Sequence, residues 1–116
     1  MICKIQDVRE FRPLSLPAPS GWKRLGVLAG VMAYAHITTS MRVTVSLDTF
    51  EGGERFLHVA VSRRGRLPSW DDLKRVKTAF MGRDVDAFHI IPRADDHINM
   101  PEYTMHLWTP WEGNYA

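Results

Sequence analysis

The chain has 116 residues, 45% of them hydrophobic and 24% charged, and carries a formal net charge of +2 at pH 7. That length suits one domain with one core, and the composition excludes global disorder. So small a net charge gives no general affinity for nucleic acid, which would have to rest on a local basic patch. Cys3 is the only cysteine, which excludes an intramolecular disulfide and a cysteine-rich zinc site and suits a reducing compartment.

In chain order, residues 1–23 carry Pro13, Pro17, Pro19 and Gly21, a spacing that forbids a long helix and predicts an extended arm lying on the domain or on a partner. Residues 24–116 are expected to form a single domain. The opening MICKIQDVREFRP mixes both charges and lacks the succession of basic, apolar and small residues that marks a signal peptide, so the chain is expected in the cytoplasm. The most apolar window, Leu25 to Ile37, falls well short of the ~20 residues that span a bilayer, and no membrane association is expected. Its Ala and Leu residues favour helix, whereas Gly26, Gly30 and the β-branched run at Ile37, Thr38 and Thr39 favour strand. We read a strand over 31–37.

Arg42 to Phe50 alternates, with Val43, Val45 and Leu47 on one face and Thr44, Ser46 and Asp48 on the other. A Gly52-Gly53 turn then returns the chain as a second strand from Arg55 to Arg63, with Leu57, Val59 and Val61 on one face and Phe56, His58, Ala60 and Ser62 on the other. After Pro68, Ser69 stands where a helix N-cap belongs, and Asp71 and Asp72 meet the positive end of the helix dipole. The helix is predicted from Trp70 to Met81, with Trp70, Leu73, Val76, Lys77 and Phe80 on its inner stripe and Gly82 as its stop. Asp86 to Ile91, stopped by Pro92, and Tyr103 to Thr109 read as two further strands. The expected fold is therefore α+β: a small antiparallel sheet, built from a β-hairpin and two later strands, with one main helix packed on one face.

Three stretches, LHVAVSRRGRLPSWDDLKRVKTAFMGRD, FHIIP and INMPEYTMHLW, together resemble a family of small domains found in bacteriophages and in bacterial genomes, many of them within prophages. The resemblance covers residues 42–109. Asn99, Pro101, His106, Leu107 and Trp108 stand where that family carries an Asn and Pro segment before His-Leu-Trp. The resemblance implies phage or prophage origin and brings no activity with it.

Four groups of residues are candidates for function. The turn Arg63-Arg64-Gly65-Arg66, with Lys74 and Arg75 on the following helix, is the strongest basic cluster. Such a cluster would grip phosphates while Trp70 stacks on a base; the plainer reading pairs these arginines with Asp71, Asp72 or Glu54. His58 and His106 lie on predicted strands, with Ser46 on the same face if the hairpin register holds, which is an arrangement for acid–base chemistry. The ligand spacings His-x-His and His-Glu-x-x-His are absent, so neither metal nor cofactor is expected. Asp95-Asp96-His97 lacks the alternate spacing of a calcium loop and reads as a solvated loop. Finally, Tyr103, Trp108, Trp111 and Tyr115 crowd the C-terminal end, either closing the core or forming a binding patch. Met32, Met41, Met81, Met100 and Met105 read as gap-fillers.

The leading expectation is a non-enzymatic protein-interaction module, phage- or prophage-encoded, that binds a host or phage protein through Phe56, His58, His106, Trp108, Trp111 and Tyr115. The face away from the helix would be too apolar to leave in water, and its expected cover is either the proline-containing arm of the same chain or, in preference, a second copy of the chain in a homodimer. The first alternative is a nucleic-acid-binding domain using Arg63, Arg64, Arg66, Lys74 and Arg75. The second is a small enzyme centred on His58 and His106.

Overall fold

Strand-type alternation dominates the chain, and the computed structural model, which describes residues 8–64, 67–82, 89–95 and 102–111, is mostly antiparallel sheet with one helix. In chain order the elements are β1 (Val8–Pro13), β2 (Trp22–Leu28), β3 (Val31–His36), β4 (Arg42–Phe50), β5 (Arg55–Arg64), α1 (Trp70–Val76), a π-helical turn (Lys77–Met81) that continues α1, β6 (His89–Asp95) and β7 (Glu102–Pro110). Among the described residues the sheet has seven strands in the order β2-β3-β4-β5-β7-β6, with β1 also pairing β4. β3 takes the first half of β4, from Arg42 to Val45, and β1 takes the second, from Ser46 to Phe50.

The β4–β5 hairpin is the centre. Its turn closes through Phe50 N–H to Glu54 C=O at 2.8 Å and Gly53 N–H to Phe50 C=O at 2.8 Å, with Gly53 at φ 84°, a conformation open to glycine at no steric cost. β7 runs beside β5 from Phe56 opposite Pro110 to Arg64 opposite Glu102. The inner face carries Val43, Val45, Leu57, Val59, Val61 and Leu107, and α1 lays Leu73 and Val76 on it, followed by Phe80 from the π-helical turn. Fully burying each such side chain contributes about 1.5–3 kcal/mol.

The helix starts where the sequence places it. Ser69 Oγ accepts from Asp72 N–H at 3.1 Å, and the Asp72 carboxylate accepts from Ser69 N–H at 2.9 Å, a reciprocal capping box. The same carboxylate takes two bonds from Arg63 Nη1, at 3.0 and 3.1 Å, tying the first turn of α1 to the end of β5. Burial would push the Asp72 carboxyl up, but the Ser69 and Arg63 hydrogen bonds and the Arg63 charge outweigh it and hold it below the usual carboxylate range. Ser69→Ala is expected to cost about 1 kcal/mol, read as a lower denaturation midpoint at unchanged m-value.

Four features depart from the expectations. Trp70 is 69% exposed rather than on the inner stripe: it is the first helical residue, and its Cβ points back toward the N-terminus, past the end of the sheet rather than onto it. Pro92 does not stop its strand but lies inside β6. That is tolerated because β6 is an edge strand, where a missing N–H breaks no ladder bond on the outer side. Residues 24–30 are not a lead-in to one strand, because Trp22–Leu28 is itself a strand, joined to β3 by a tight turn with Ala29 at φ 49° and Gly30 at φ 82°. Finally, the face away from the helix needs no second chain to shield it: Ser46, Asp48, Phe50, Phe56, Ala60 and Trp108 are all buried within one chain.

The described part of the proline-containing arm is laid against the domain. β1 extends the sheet, and beyond Pro13 the chain crosses to the helix side, where Leu14 and Leu16 pack on the core. Leu16 N–H and C=O bond the Tyr34 hydroxyl at 2.8 and 2.6 Å. No helix among the described residues is long and apolar enough to cross a membrane.

Candidate functional site

Strand parity gathers a polar network on the face away from α1. Ser46 and Asp48 are two residues apart on β4; His58 on β5 lies opposite Ser46, and Trp108 on β7 lies opposite His58. His106, opposite Ala60, is the diagonal neighbour of His58. The Asp48 carboxylate is the hub. Its Oδ1 accepts from Ser46 Oγ at 2.6 Å, and its Oδ2 accepts from Trp108 Nε1 at 3.0 Å and lies 3.1 Å from His58 Nδ1. Desolvation would push this carboxyl up, but the His58 hydrogen bond and charge, with the Ser46 and Trp108 donors, prevail and hold it below its ordinary value.

An ionised carboxylate accepts only, so the proton facing it sits on His58 Nδ1. His58 Nε2 then meets His106 Nδ1 at 2.7 Å, where one nitrogen must donate and the other accept. With His58 neutral, His106 carries the proton between them. The three groups form a hydrogen-bonded line from a buried carboxylate to a half-buried imidazole, the same logic by which a carboxylate orients a histidine in acyl-transfer enzymes. Trp108 backs both rings, stacked on His58 at a centroid distance of 4.4 Å and 8° and on His106 at 5.5 Å and 17°. Ser46 is not an activated nucleophile here. Its hydroxyl proton goes to Asp48, it lies 3.4 Å from the His58 nitrogen that already faces the carboxylate, and it is 1% exposed.

The other candidate surface is the end of the sheet where β3 and β5 finish and β4 and α1 begin. Ile37, Leu67 and Trp70 are exposed there at 68%, 46% and 69%, and Arg64, Lys74 and Arg75 are exposed beside them in sequence. Arg63 is not available for a ligand, being held by Asp72, and its Nε is buried without a hydrogen-bond partner among the described residues.

The residues expected at an interface divide among different environments. Phe56 and Trp108 are buried, so neither is presented to a partner as expected. His58 and His106 are half-buried in the Asp48 network, and Trp111 packs against the core on the helix side, across the sheet from Trp108. Tyr115, Arg66, Asp96, His97 and Met100 lie outside the described residues, while Asp95 ends β6. Met32 and Met41 fill the core, with Met81 and Met105 packed at its margin. Asp48 is the residue that the sequence reading left out of the site. The signal was present: aspartate is depleted in strands, and one placed two residues from Ser46 on the polar side of β4 has to find partners there. No group of three or more His, Cys, Asp and Glu among the described residues is arranged to hold a metal ion.

Sheet, helix and buried carboxylate–imidazole line together define a small α+β domain. Residues 48–112, more than half of the chain, match the domain of unknown function DUF7694, and the chain belongs to that family. The match runs from Asp48, the hub of the network, past His106 and Trp108 to just beyond Trp111. Comparison with curated proteins and with solved structures gives no match.

Proposed function

We propose that the chain is a non-enzymatic protein-interaction module that holds a host or phage protein through the end of the sheet where α1 begins. The observation that carries this reading is the exposure of Trp70, at 69% the most exposed large apolar side chain among the described residues, with Leu67 and Ile37 at the same end of the sheet. Tryptophan is the residue most enriched at binding hot spots, and an indole left in water at a capped helix start is held in place without being used by the fold. Phage or prophage origin is part of the proposal and rests on the SRRGRLPSW and HLW stretches. The Asp48–His58–His106 line is then a structural network that fixes the register of β4, β5 and β7, in keeping with the burial of Ser46.

A second reading, nucleic-acid binding, is favoured by one observation. Arg64, Lys74 and Arg75 are exposed near Trp70 in sequence and form no ion pair among the described residues. Affinity purification from host cells separates the two, using the wild-type chain and a Trp70→Ala/Leu67→Ala variant, with and without nuclease. The expected result is a defined protein partner that survives nuclease and is lost with the variant. Capture that disappears on nuclease treatment, or that the variant leaves unchanged, overturns the proposal.

A further inference from the structure

We infer that the cleft beside the β3–β4 turn is a subsite for a phosphate monoester. It holds about 240 Å³ and is lined by Ala35, Thr39, Ser40, Met41, Arg42 and Arg64. The register explains why two arginines meet there. Arg42 on β4 lies opposite Ser62 on β5, and Arg64 is two residues further along β5 on the same face, so the two are diagonal cross-strand neighbours, roughly 7–8 Å apart at the backbone. Like charges in that position repel, and an anion lying between the two relieves that repulsion. Neither guanidinium has a carboxylate partner among the described side chains, in contrast to Arg63, which does.

The turn supplies the rest of the cradle. Thr39 Oγ1 is committed, accepting from Met41 N–H at 3.2 Å and bonding His36 Nδ1 at 3.1 Å, which fixes the turn's shape, and Ser40 is exposed on the rim with its hydroxyl. Two arginines lining one cavity offer planar forks that suit the oxygens of a tetrahedral anion, and two positive charges match a dianion better than the single charge of a backbone diester. The volume lies below the roughly 300–1,000 Å³ of a pocket that encloses a whole small molecule. It suits one group of a ligand, which is the size of a phosphate with its ester oxygen. Arg64 is shared with the basic group near Trp70, but Ala35, Thr39, Ser40, Met41 and Arg42 are not, and the subsite does not rest on the protein-interaction reading.

The test is titration of the intact chain with phenyl phosphate, O-phosphoserine and inorganic phosphate, followed by amide chemical shifts. Saturable shifts are expected at residues 39–42 and at Arg64, and phenyl phosphate and O-phosphoserine are expected to bind more tightly than a single-stranded oligonucleotide with blocked ends, which carries only diesters. Arg42→Ala and Arg64→Ala should each weaken binding at least about tenfold, because each removes charge-assisted bonds to the anion. Arg75→Ala removes one exposed charge elsewhere and should leave it unchanged. Equal losses from all three variants, or shifts spread over the surface, would reduce the effect to general electrostatic attraction and overturn the assignment. Binding of the oligonucleotide at the same residues with equal affinity would overturn the preference for a monoester. Binding of inorganic phosphate alone would mean that the cleft cannot admit an ester, and would overturn it too.

Discussion

Replacing Asp48 with alanine is expected to destabilise the domain by about 3–5 kcal/mol, since each buried donor left without an acceptor costs about 1–3 kcal/mol. Three donors lose their acceptor at once: the Ser46 hydroxyl, the Trp108 indole and His58 Nδ1. Water offers little substitute, because Ser46 and Trp108 are about 1% exposed and the His58 side chain only 17%. Asp48→Asn separates charge from hydrogen bonding. Its carbonyl oxygen can take the Oδ2 position facing Trp108 and His58, and its amide can donate to Ser46 Oγ, so it is expected to cost clearly less than alanine. Urea titration of both variants decides the matter. A loss under about 1 kcal/mol for Asp48→Ala would mean that the network contributes little.

The same residue sets an expectation for acid. The folded carboxyl of Asp48 titrates below its unfolded value of 3.8, so its contribution to stability is complete well above pH 3.8 and is lost as pH falls through that value to the folded one. Wild type should therefore lose stability along this limb, and Asp48→Ala should show a shallower loss. It will not be flat, because Asp72 is also held low and contributes with the same sign. Identical acid limbs for the two proteins would contradict the shift.

How much of this was legible in the sequence depends on whether one residue's neighbours were enough to place it. The β4–β5 hairpin was readable because both strands alternate without interruption and two glycines sit between them. The start of α1 was readable because Ser69 and Asp72 form a reciprocal cap within four residues. β2 was not, because Lys23 and Arg24 give way to a bulge at Leu25 and Gly26, where the register with β3 shifts and the two-residue period breaks. Its turn was hidden for a related reason. Ala29 occupies a left-handed conformation that costs a non-glycine residue roughly 1 kcal/mol, so Ala-Gly does not advertise a hairpin as Asn-Gly does. The polar site was half legible. Parity put Ser46 and Asp48 on one face and His58 on the matching face of β5, but the hydrogen bond between His58 and His106 spans 48 positions and needed β7 set beside β5 in a definite register.

Phe80→Ala is expected to be the most damaging single truncation in the helical layer, costing about 3–5 kcal/mol. The ring is buried at the end of the π-helical turn, meeting Trp22 edge-on at 5.1 Å and Tyr34 at 4.9 Å. It thereby joins β2, β3 and the helix, and such aromatic pairs add about 0.5–1.5 kcal/mol beyond the area they bury. Through the hydroxyl of Tyr34 the contact reaches Leu16, so the cavity would also loosen the segment that follows β1. The control lies on the same helix. Trp70 is larger than Phe80 but stands in water, and Trp70→Ala should change stability by no more than about 0.5 kcal/mol. Measured side by side in urea, the two variants test the orientation of the helix itself. If the tryptophan substitution proved the costlier, the helix would have to be turned about its axis, with Trp70 against the sheet, and the exposed indole on which the proposed interface depends would be gone.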